Sequence, residues 1–241
     1  MNTTPSSALL QLERLCAGYG QAQVLFDIDL VVHPGQVVGL LGRNGAGKST
    51  TMKTIMGLLA QRSGTVRFDG ADISRWPTHR IVQAGLGWVP EDRRIFTDLT
   101  VLENLEIGRQ PPRPDAPRWT IDSLFELFPN LARMPDRLGG QMSGGEQQML
   151  TVARTLMGNP RLVLLDEPSE GVAPVIVEEM ARSINEMKRQ GLSVLLSEQN
   201  LQFAQAVCDR ACVLEKGEVR FDGKMADLAA NDTVRDELLG I

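Results

Sequence analysis

A glycine-rich segment with a single lysine carries the strongest chemical signal in the chain. Residues 42–50 have the sequence GRNGAGKST and satisfy the pattern G-x-x-x-x-G-K-[ST]. Glycines let backbone N–H groups close around an anion, the lysine neutralises phosphate oxygens, and the following hydroxyl can ligate Mg²⁺. The segment therefore predicts a phosphate-binding loop (P-loop) for a nucleoside triphosphate, with Ser49 also a metal ligand. The predicted contact residues are Gly42, Asn44, Gly45, Ala46, Gly47, Lys48, Ser49 and Thr50.

Two adjacent carboxylates form a second candidate group. Asp166 and Glu167 follow the apolar run 162–165, so they would leave a buried strand at the sheet edge where the P-loop also lies. One acid at this place can hold Mg²⁺ through water, and a second can polarise the water that attacks the γ-phosphate. We expect the metal role for Asp166 and the catalytic role for Glu167. Without the P-loop upstream, the two residues would also fit a solvated acidic turn.

A third group lies at the start of a predicted helix. Residues 143–146 have the sequence SGGE, and the helix is predicted to run to about residue 157. Its serine and glutamate fit a capping box. Two glycines in the first helical turn each cost up to about 1 kcal/mol relative to alanine, and capping alone does not explain them. Close approach of a ligand would explain Gly144 and Gly145.

The pattern of strands and helices predicts how these residues are positioned. The apolar run 37–41 precedes the P-loop, and a helix is predicted over 49–59 directly after it. Residues 92–160 favour helices, and we expect an inserted helical unit there. Strand patterns then return, with an amphipathic helix over 175–190 between two of them, which is typical of a parallel sheet. The other strands are predicted at residues 9–12, 24–32, 64–68, 86–89, 162–165, 193–196, 210–214 and 218–221, and a polar helical tail is predicted after residue 221.

Composition limits the functional classes. The chain has 241 residues with 25 Lys and Arg against 30 Asp and Glu, and the net charge of −5 offers no broad attraction to nucleic acid. This length suits a single domain over residues 1–241. No apolar run approaches the ~20 residues of a spanning helix, so a membrane role would need partners. The few cysteines indicate a reducing cytoplasm, and Cys208 and Cys212, four apart on a predicted helix, do not form a zinc site.

The motifs and their order resemble those of the ABC ATPases. The string MSGGEQQ at residues 142–148 is similar to the family signature, and it stands between a helical stretch and the strand that ends at Asp166. The resemblance extends from Tyr19, which matches the adenine-stacking aromatic residue, to Ser197. It implies ATPase activity with ATP and Mg²⁺. It also implies an α/β P-loop NTPase (RecA-like) fold, with a parallel-sheet core, an N-terminal antiparallel β subdomain and an inserted helical subdomain.

Two ATPase domains pair head to tail in this family. The resemblance therefore implies that Ser143, Gly144 and Gly145 would contact the γ-phosphate held by the P-loop of the opposite subunit. The N-terminus of the predicted helix gives a physical reason, since its oriented N–H groups and dipole favour an anion. ATP would close the pair, and hydrolysis would release it.

Three positions depart from the general family pattern. Glu91 stands where the family usually has glutamine, and its carboxylate could still ligate Mg²⁺. Gln199 stands where most members carry the switch histidine, and it could donate a hydrogen bond to the γ-phosphate without carrying charge. We expect Gln199 to act in catalysis beside Glu167. The segment 169–174, SEGVAP, replaces a loop that usually ends in aspartate.

The combination of these motifs is similar to the LivF branch of bacterial branched-chain amino acid importers. The resemblance implies a homodimer, or a heterodimer with a paralogous ABC ATPase, on the inner face of the membrane with two membrane permeases and an external solute-binding protein. Urea or amide importers, non-transport ABC proteins and other P-loop enzymes such as kinases or GTPases remain alternatives. Three apolar residues, Phe96, Leu99 and Val101, would either contact a permease or pack within the insertion.

Overall fold

The computed structural model describes residues 8–231, apart from the side chains of residues 61 and 62. Two sheets dominate the fold. Sheet A is antiparallel, with the strand order β2-β1-β4-β5. Its strands are β1 (Leu10–Tyr19), β2 (Ala22–Val32), β4 (Gln61–Phe68) and β5 (Ala71–Asp72).

Sheet B carries the candidate site and has the order β10-β9-β3-β8-β7-β6. Its first five strands along the chain pair in parallel, and β10 pairs antiparallel with β9. Parallel strands share one carboxyl-terminal edge, so the segments that follow β3, β7 and β8 meet there. The strands are β3 (Val37–Leu41), β6 (Leu86–Val89), β7 (Leu162–Asp166), β8 (Ser193–Glu198), β9 (Arg210–Glu215) and β10 (Glu218–Lys224).

Helices connect and cover the strands. Four of them, α3 to α6, lie between β6 and β7, within the stretch 92–160. The helices are α1 (Lys48–Ile55), α2 (Thr78–Gln83), α3 (Val101–Gly108), α4 (Ile121–Leu127), α5 (Pro129–Ala132), α6 (Gly144–Leu156), α7 (Pro174–Arg189), α8 (Leu201–Val207) and α9 (Met225–Ala229). None of the helices within residues 8–231 has the length and apolar character needed to cross a membrane.

The central strands β3, β7 and β8 of sheet B are buried on both faces, which explains their continuous apolar sequences. In β7, Leu162 and Leu164 belong to a core shared with sheet A and α1. Val163 and Leu165 belong to a second core with residues of α6 and α7. Neighbouring residues of a strand point to opposite faces, so a strand covered on both sides is apolar at every position.

Three expectations from the sequence need correction. Helix α1 ends at Ile55 rather than at residue 59, because Gly57 has a left-handed backbone with φ of 66° that stops the helix. Strand β1 is longer than predicted and continues through register shifts past Leu12. The cysteines do not share a helix, since Cys208 caps the C-terminus of α8 and Cys212 lies in β9. The polar tail predicted after residue 221 includes α9, and its continuation lies outside the described residues.

Candidate nucleotide-binding site

The glycine-rich loop joins the carboxyl end of β3 to α1. Gly47 is the N-cap of α1 and has φ of 111°, a conformation that favours glycine. A second segment braces the loop from outside: the Gly217 N–H, in the turn between β9 and β10, donates to the carbonyl of Ala46 at 2.9 Å. The Gly217 carbonyl in turn accepts from the N–H of Phe26 at 2.8 Å. The β9–β10 turn therefore links the P-loop to strand β2 of sheet A.

Lys48 is buried at the centre of the site. Its Nζ atom donates to the carbonyl of Gly42 at 2.8 Å and to that of Arg43 at 3.2 Å. The same atom lies 3.0 Å from Oε1 of Glu167, and both side chains are buried. An ammonium group that is removed from water in this way is a strong partner for a phosphate anion. Thr50, two residues further along α1, is also buried.

Ser49 and Asp166 meet although they come from different elements. The Ser49 hydroxyl donates to Oδ1 of Asp166 at 3.0 Å. Asp166 ends β7 and is 2% exposed, and this burial raises the pKa of its carboxyl group. A hydroxyl beside a carboxylate fits Mg²⁺, which commonly takes only one or two protein ligands and completes its shell with phosphate oxygens and water. These two residues are the ones that would hold the metal.

Glu167 has a strained backbone and two side-chain partners. Its φ of 48° places a non-glycine residue in the left-handed region, a feature that concentrates at functional sites. One carboxylate oxygen pairs with Lys48, and the other accepts from Nε2 of Gln199 at 2.8 Å. Gln199 also lines a cavity with Gly42, Arg43 and Asn44. Gln199 therefore lies beside both the predicted base and the P-loop.

The structure does not bring Glu91 to this group of residues. Glu91 is exposed and lines a different cavity with residues 92–95, Thr97 and Gln147. Within residues 8–231, no ion pair to Glu91 is found. The role of Glu91 as a metal ligand stays a prediction.

The predicted N-terminus of α6 is confirmed. Ser143 is the N-cap, its Oγ accepts from the N–H of Glu146 at 3.4 Å, and its N–H donates to the Glu146 carboxylate at 2.7 Å. A Cβ atom on Gly144 would lie 2.5 Å from Nη1 of Arg93, and one on Gly145 would lie 2.8 Å from Ile176. Packing within this chain thus accounts for Gly145, so its presence does not by itself require a ligand.

Other sequence predictions have mixed outcomes. Tyr19 ends β1 opposite Ala22 and is 49% exposed, so its ring is accessible for stacking. Phe96 is also exposed, and the guanidinium of Arg154 lies 5.0 Å from its ring centre. Val101 is fully buried in the core, so of its two predicted alternatives the structure shows packing within the insertion.

No role for Glu198 was predicted from the sequence. This residue ends β8, is 2% exposed and accepts hydrogen bonds from backbone N–H groups on both sides of the site. A signal was present, since Glu198 lies two residues after the apolar run 194–196. An acid at the end of a buried strand would have identified both.

Comparison with known proteins decides the family. The family model described as ABC transporter matches residues 25–170. The chain is also 41% identical over 232 residues to the high-affinity branched-chain amino acid transport ATP-binding protein BraG of Pseudomonas aeruginosa, covering 96% of this chain and 100% of BraG. The chain belongs to the ABC transporter family. As predicted, this ABC protein is an ATPase.

Two further relatives differ from each other in function. The ABC chain is 38% identical to the lipopolysaccharide export protein LptB of Haemophilus influenzae, over 97% of this chain and 98% of LptB. It is 33% identical to a probable branched-chain amino acid transport protein LivF of Archaeoglobus fulgidus, over 97% and 99%. These relatives support an ATP-binding transport subunit and leave its substrate open.

Solved structures confirm the predicted fold class of the ABC protein. A nucleotide-free ATP-binding cassette matches with a TM-score of 0.81 at 25% identity, covering 97% of this chain and 99% of the other. The ADP conformation of the cassette MJ1267 matches with a TM-score of 0.80 at 26% identity, covering 95% and 97%. The antiparallel sheet A beside the mostly parallel sheet B is consistent with a P-loop NTPase.

Proposed function

We propose that this ABC protein is the ATP-hydrolysing subunit of an importer for branched-chain or other amino acids. We also propose that residues 1–241 form one ABC ATPase domain with a helical insertion at about 92–160. The observation that carries the proposal is the 41% identity to BraG over the whole of that protein. The LivF relative supports the same solute class.

The geometry around Lys48 supports a division of roles in hydrolysis. The P-loop N–H groups and Lys48 bind the β- and γ-phosphates of ATP, and the exposed ring of Tyr19 stacks on adenine. Ser49 and Asp166 hold Mg²⁺, which neutralises charge on the phosphates when bound. Glu167 is the general base that accepts a proton from the attacking water. Gln199 orients Glu167 through its 2.8 Å hydrogen bond.

A second subunit completes the proposed site. The exposed N-terminus of α6 presents Ser143, Gly144 and Gly145, whose N–H groups and hydroxyl favour an anion. We infer that they contact ATP bound to the P-loop of the partner, in a homodimer or a heterodimer with a paralogous ABC ATPase. Such contacts exist only while the γ-phosphate is present, so ATP favours the closed pair and hydrolysis favours its opening.

The proposed assembly includes membrane proteins and not nucleic acid. A subunit of this kind would be cytoplasmic and bound to the inner face of the membrane through two permeases, with an external solute-binding protein supplying the solute. Exposed apolar side chains in the helical region are available for permease contact, namely Phe96, Leu102, Ile107 and Leu138. The net charge of −5 gives no basis for nucleic acid binding.

Export of lipopolysaccharide is a second candidate function, because LptB relatives reach 38% identity. Import of urea or amides and a role outside transport are weaker alternatives, since none of the relatives described above carries such a function.

Measurements of solute uptake and of surface lipopolysaccharide in the source organism distinguish these candidate functions. The gene is deleted and then complemented with the wild type or with Lys48→Ala, and uptake of radiolabelled leucine and urea is measured together with lipopolysaccharide at the cell surface. We expect the deletion to lose leucine uptake and only the wild type to restore it. Normal leucine uptake with lost surface lipopolysaccharide would establish the export function instead, and lost urea uptake alone would establish the urea importer.

A further inference from the structure

Glu198 is a buried carboxylate with an unusual set of donors. Its side chain is 2% exposed. Oε1 accepts from the backbone N–H of Ser169 at 3.0 Å, and Oε2 accepts from the N–H groups of Gln199 at 3.1 Å and Asn200 at 3.2 Å. Hydrogen bonds to an ionised acceptor are stronger than neutral ones, so three of them together fix the backbone firmly.

The donors belong to two different loops of the candidate site. Ser169 lies in the loop that follows Glu167, whereas Gln199 and Asn200 start the loop after β8. The two loops leave neighbouring parallel strands, since Asp166 of β7 pairs with Ser197 of β8. Glu198 therefore joins the loop that carries the proposed base to the loop that carries Gln199.

A short chain of contacts leads from Glu198 to the proposed base. Glu198 holds the N–H of Gln199, and the Gln199 side chain donates to Oε2 of Glu167 at 2.8 Å. The N–H of Glu167 also donates to the carbonyl of Ser197 at 3.0 Å. The position of the Glu167 carboxylate thus depends on a backbone segment that Glu198 anchors.

A carboxylate is the side chain that this arrangement requires. Two oxygens with several lone pairs can accept all three N–H groups, whereas a glutamine would turn its own NH₂ group toward at least one backbone donor. Burial raises the pKa of the Glu198 carboxyl group, because the charged form is less stable away from water. The backbone N–H donors stabilise the charged form and so lower the pKa.

We propose that Glu198 is a positioning residue of the ATPase reaction, which fixes the backbone of Gln199 and thereby orients Glu167 toward the attacking water. The inference rests on the proposed role of Glu167 as base. Glu198 itself is not expected to touch ATP, so its loss should lower kcat and leave the KM for ATP nearly unchanged.

A double-mutant cycle tests whether Glu198 acts through Gln199. Steady-state Mg-ATP hydrolysis and melting temperature are measured for the wild type, Glu198→Gln, Gln199→Ala and the double variant. Misplacement of a catalytic group by an ångström can cost about a hundredfold, so we expect each single variant to lower kcat by about tenfold or more, with KM within about twofold. The double variant should be no slower than the slower single variant, because both remove the same contact chain.

Asp209→Asn is a control for the loss of a carboxylate that accepts a hydrogen bond from a backbone N–H group. Asp209 accepts from the N–H of Val37 at 3.0 Å with one oxygen and pairs with Lys188 through the other, at the amino end of β3 and away from the P-loop edge. This variant is expected to lower the melting temperature without changing kcat. The control shows what a purely structural loss does.

Two results would overturn the inference. The first is a Glu198→Gln protein that resembles Asp209→Asn, with reduced stability and unchanged kcat. The second is a double variant whose kcat loss equals the product of the two single losses, which would mean that Glu198 acts independently of Gln199. The role of Glu167 is checked separately with Glu167→Gln. Normal hydrolysis by Glu167→Gln would overturn both the base assignment and this inference. If Glu167→Gln is inactive and Glu198→Gln hydrolyses ATP normally, only this inference is overturned.

Discussion

Lys48 and Glu167 form a buried ion pair, with Nζ 3.0 Å from Oε1. The lysine is the residue expected to bind the γ-phosphate, and the glutamate is the proposed base. A phosphate group and the Glu167 carboxylate would therefore compete for one ammonium group. Phosphate binding would free the carboxylate from Lys48, and this links occupation of the site to activation of its base.

The ion pair predicts that Glu167→Gln binds ATP more tightly than the wild type. The change removes a competitor for Lys48 and a negative charge next to the phosphates, so we expect the Kd for ATP without Mg²⁺ to fall about fivefold, or ~1 kcal/mol. Equilibrium titration with a fluorescent ATP analogue measures it. Glu170→Gln is the control, because Glu170 is exposed and loses the same charge without contact to Lys48. Equal shifts in both variants would attribute the effect to net charge and reject competition for Lys48.

The hydrogen bond from Gly217 to Ala46 of the P-loop predicts that Gly217→Ala weakens ATP binding. A Cβ atom there would lie 1.7 Å from the carbonyl oxygen of Val24, so the turn must shift and its hydrogen bond to the P-loop is lost. Gly191→Ala is the control, since Gly191 has φ of 89° and open space around it. Both variants carry a backbone strain of about 1–2 kcal/mol, but only Gly217→Ala should raise the Kd for ATP. The same Kd in Gly217→Ala and Gly191→Ala would show that the hydrogen bond from Gly217 does not affect the conformation of the P-loop.

A carboxylate at Glu91 predicts a sharp dependence of ATP binding on Mg²⁺. If Glu91 moves to the metal, it repels the triphosphate when Mg²⁺ is absent and attracts the complex when it is present. Glu91→Gln should therefore reduce the ratio of the Kd without metal to the Kd with metal, by about threefold. Asp92→Asn serves as control, because Asp92 is exposed and pairs with Arg94. An unchanged ratio in Glu91→Gln would exclude Glu91 from the metal site.

Two buried thiols are predicted to resist alkylation in the folded protein. Burial raises the pKa of Cys212 to about 12 and also raises the pKa of Cys208. The reactive species is the thiolate, which is therefore scarce at pH 8, and the buried sulfur atoms are also inaccessible. Peptide mass spectrometry after N-ethylmaleimide treatment should find both residues unmodified in buffer and modified in guanidinium chloride. Rapid labelling of Cys212 in buffer would mean that β9 opens locally.

Local patterns predicted much of the fold and of the site. The P-loop between β3 and α1 and the capping box of Ser143 are encoded within a few consecutive residues. The apolar runs of sheet B follow from its burial on both faces. Such features depend on backbone conformation and hydrophobic pattern, which a single sequence shows directly.

Contacts between distant segments could not be predicted in the same way. The packing of Arg93 on Gly144 and of Ile176 on Gly145 depends on how the loop after β6 and helix α7 approach α6. The burial of Val101 likewise depends on tertiary packing, because the sequence fits both a surface and a core position. The ion pair of Lys48 with Glu167 requires the register of the parallel strands, which no local pattern specifies.

Whether this protein hydrolyses ATP as an ATP-dependent dimer is tested by measuring ATP hydrolysis and the molecular mass in solution, for the wild type and Glu167→Gln with and without ATP. We expect that the wild type hydrolyses Mg-ATP, that Glu167→Gln is inactive, and that light scattering finds this variant as a dimer when ATP is present. Normal hydrolysis by Glu167→Gln would contradict the assignment of the base. A monomer at saturating ATP would contradict the homodimer and favour a heterodimer with a paralogous ATPase.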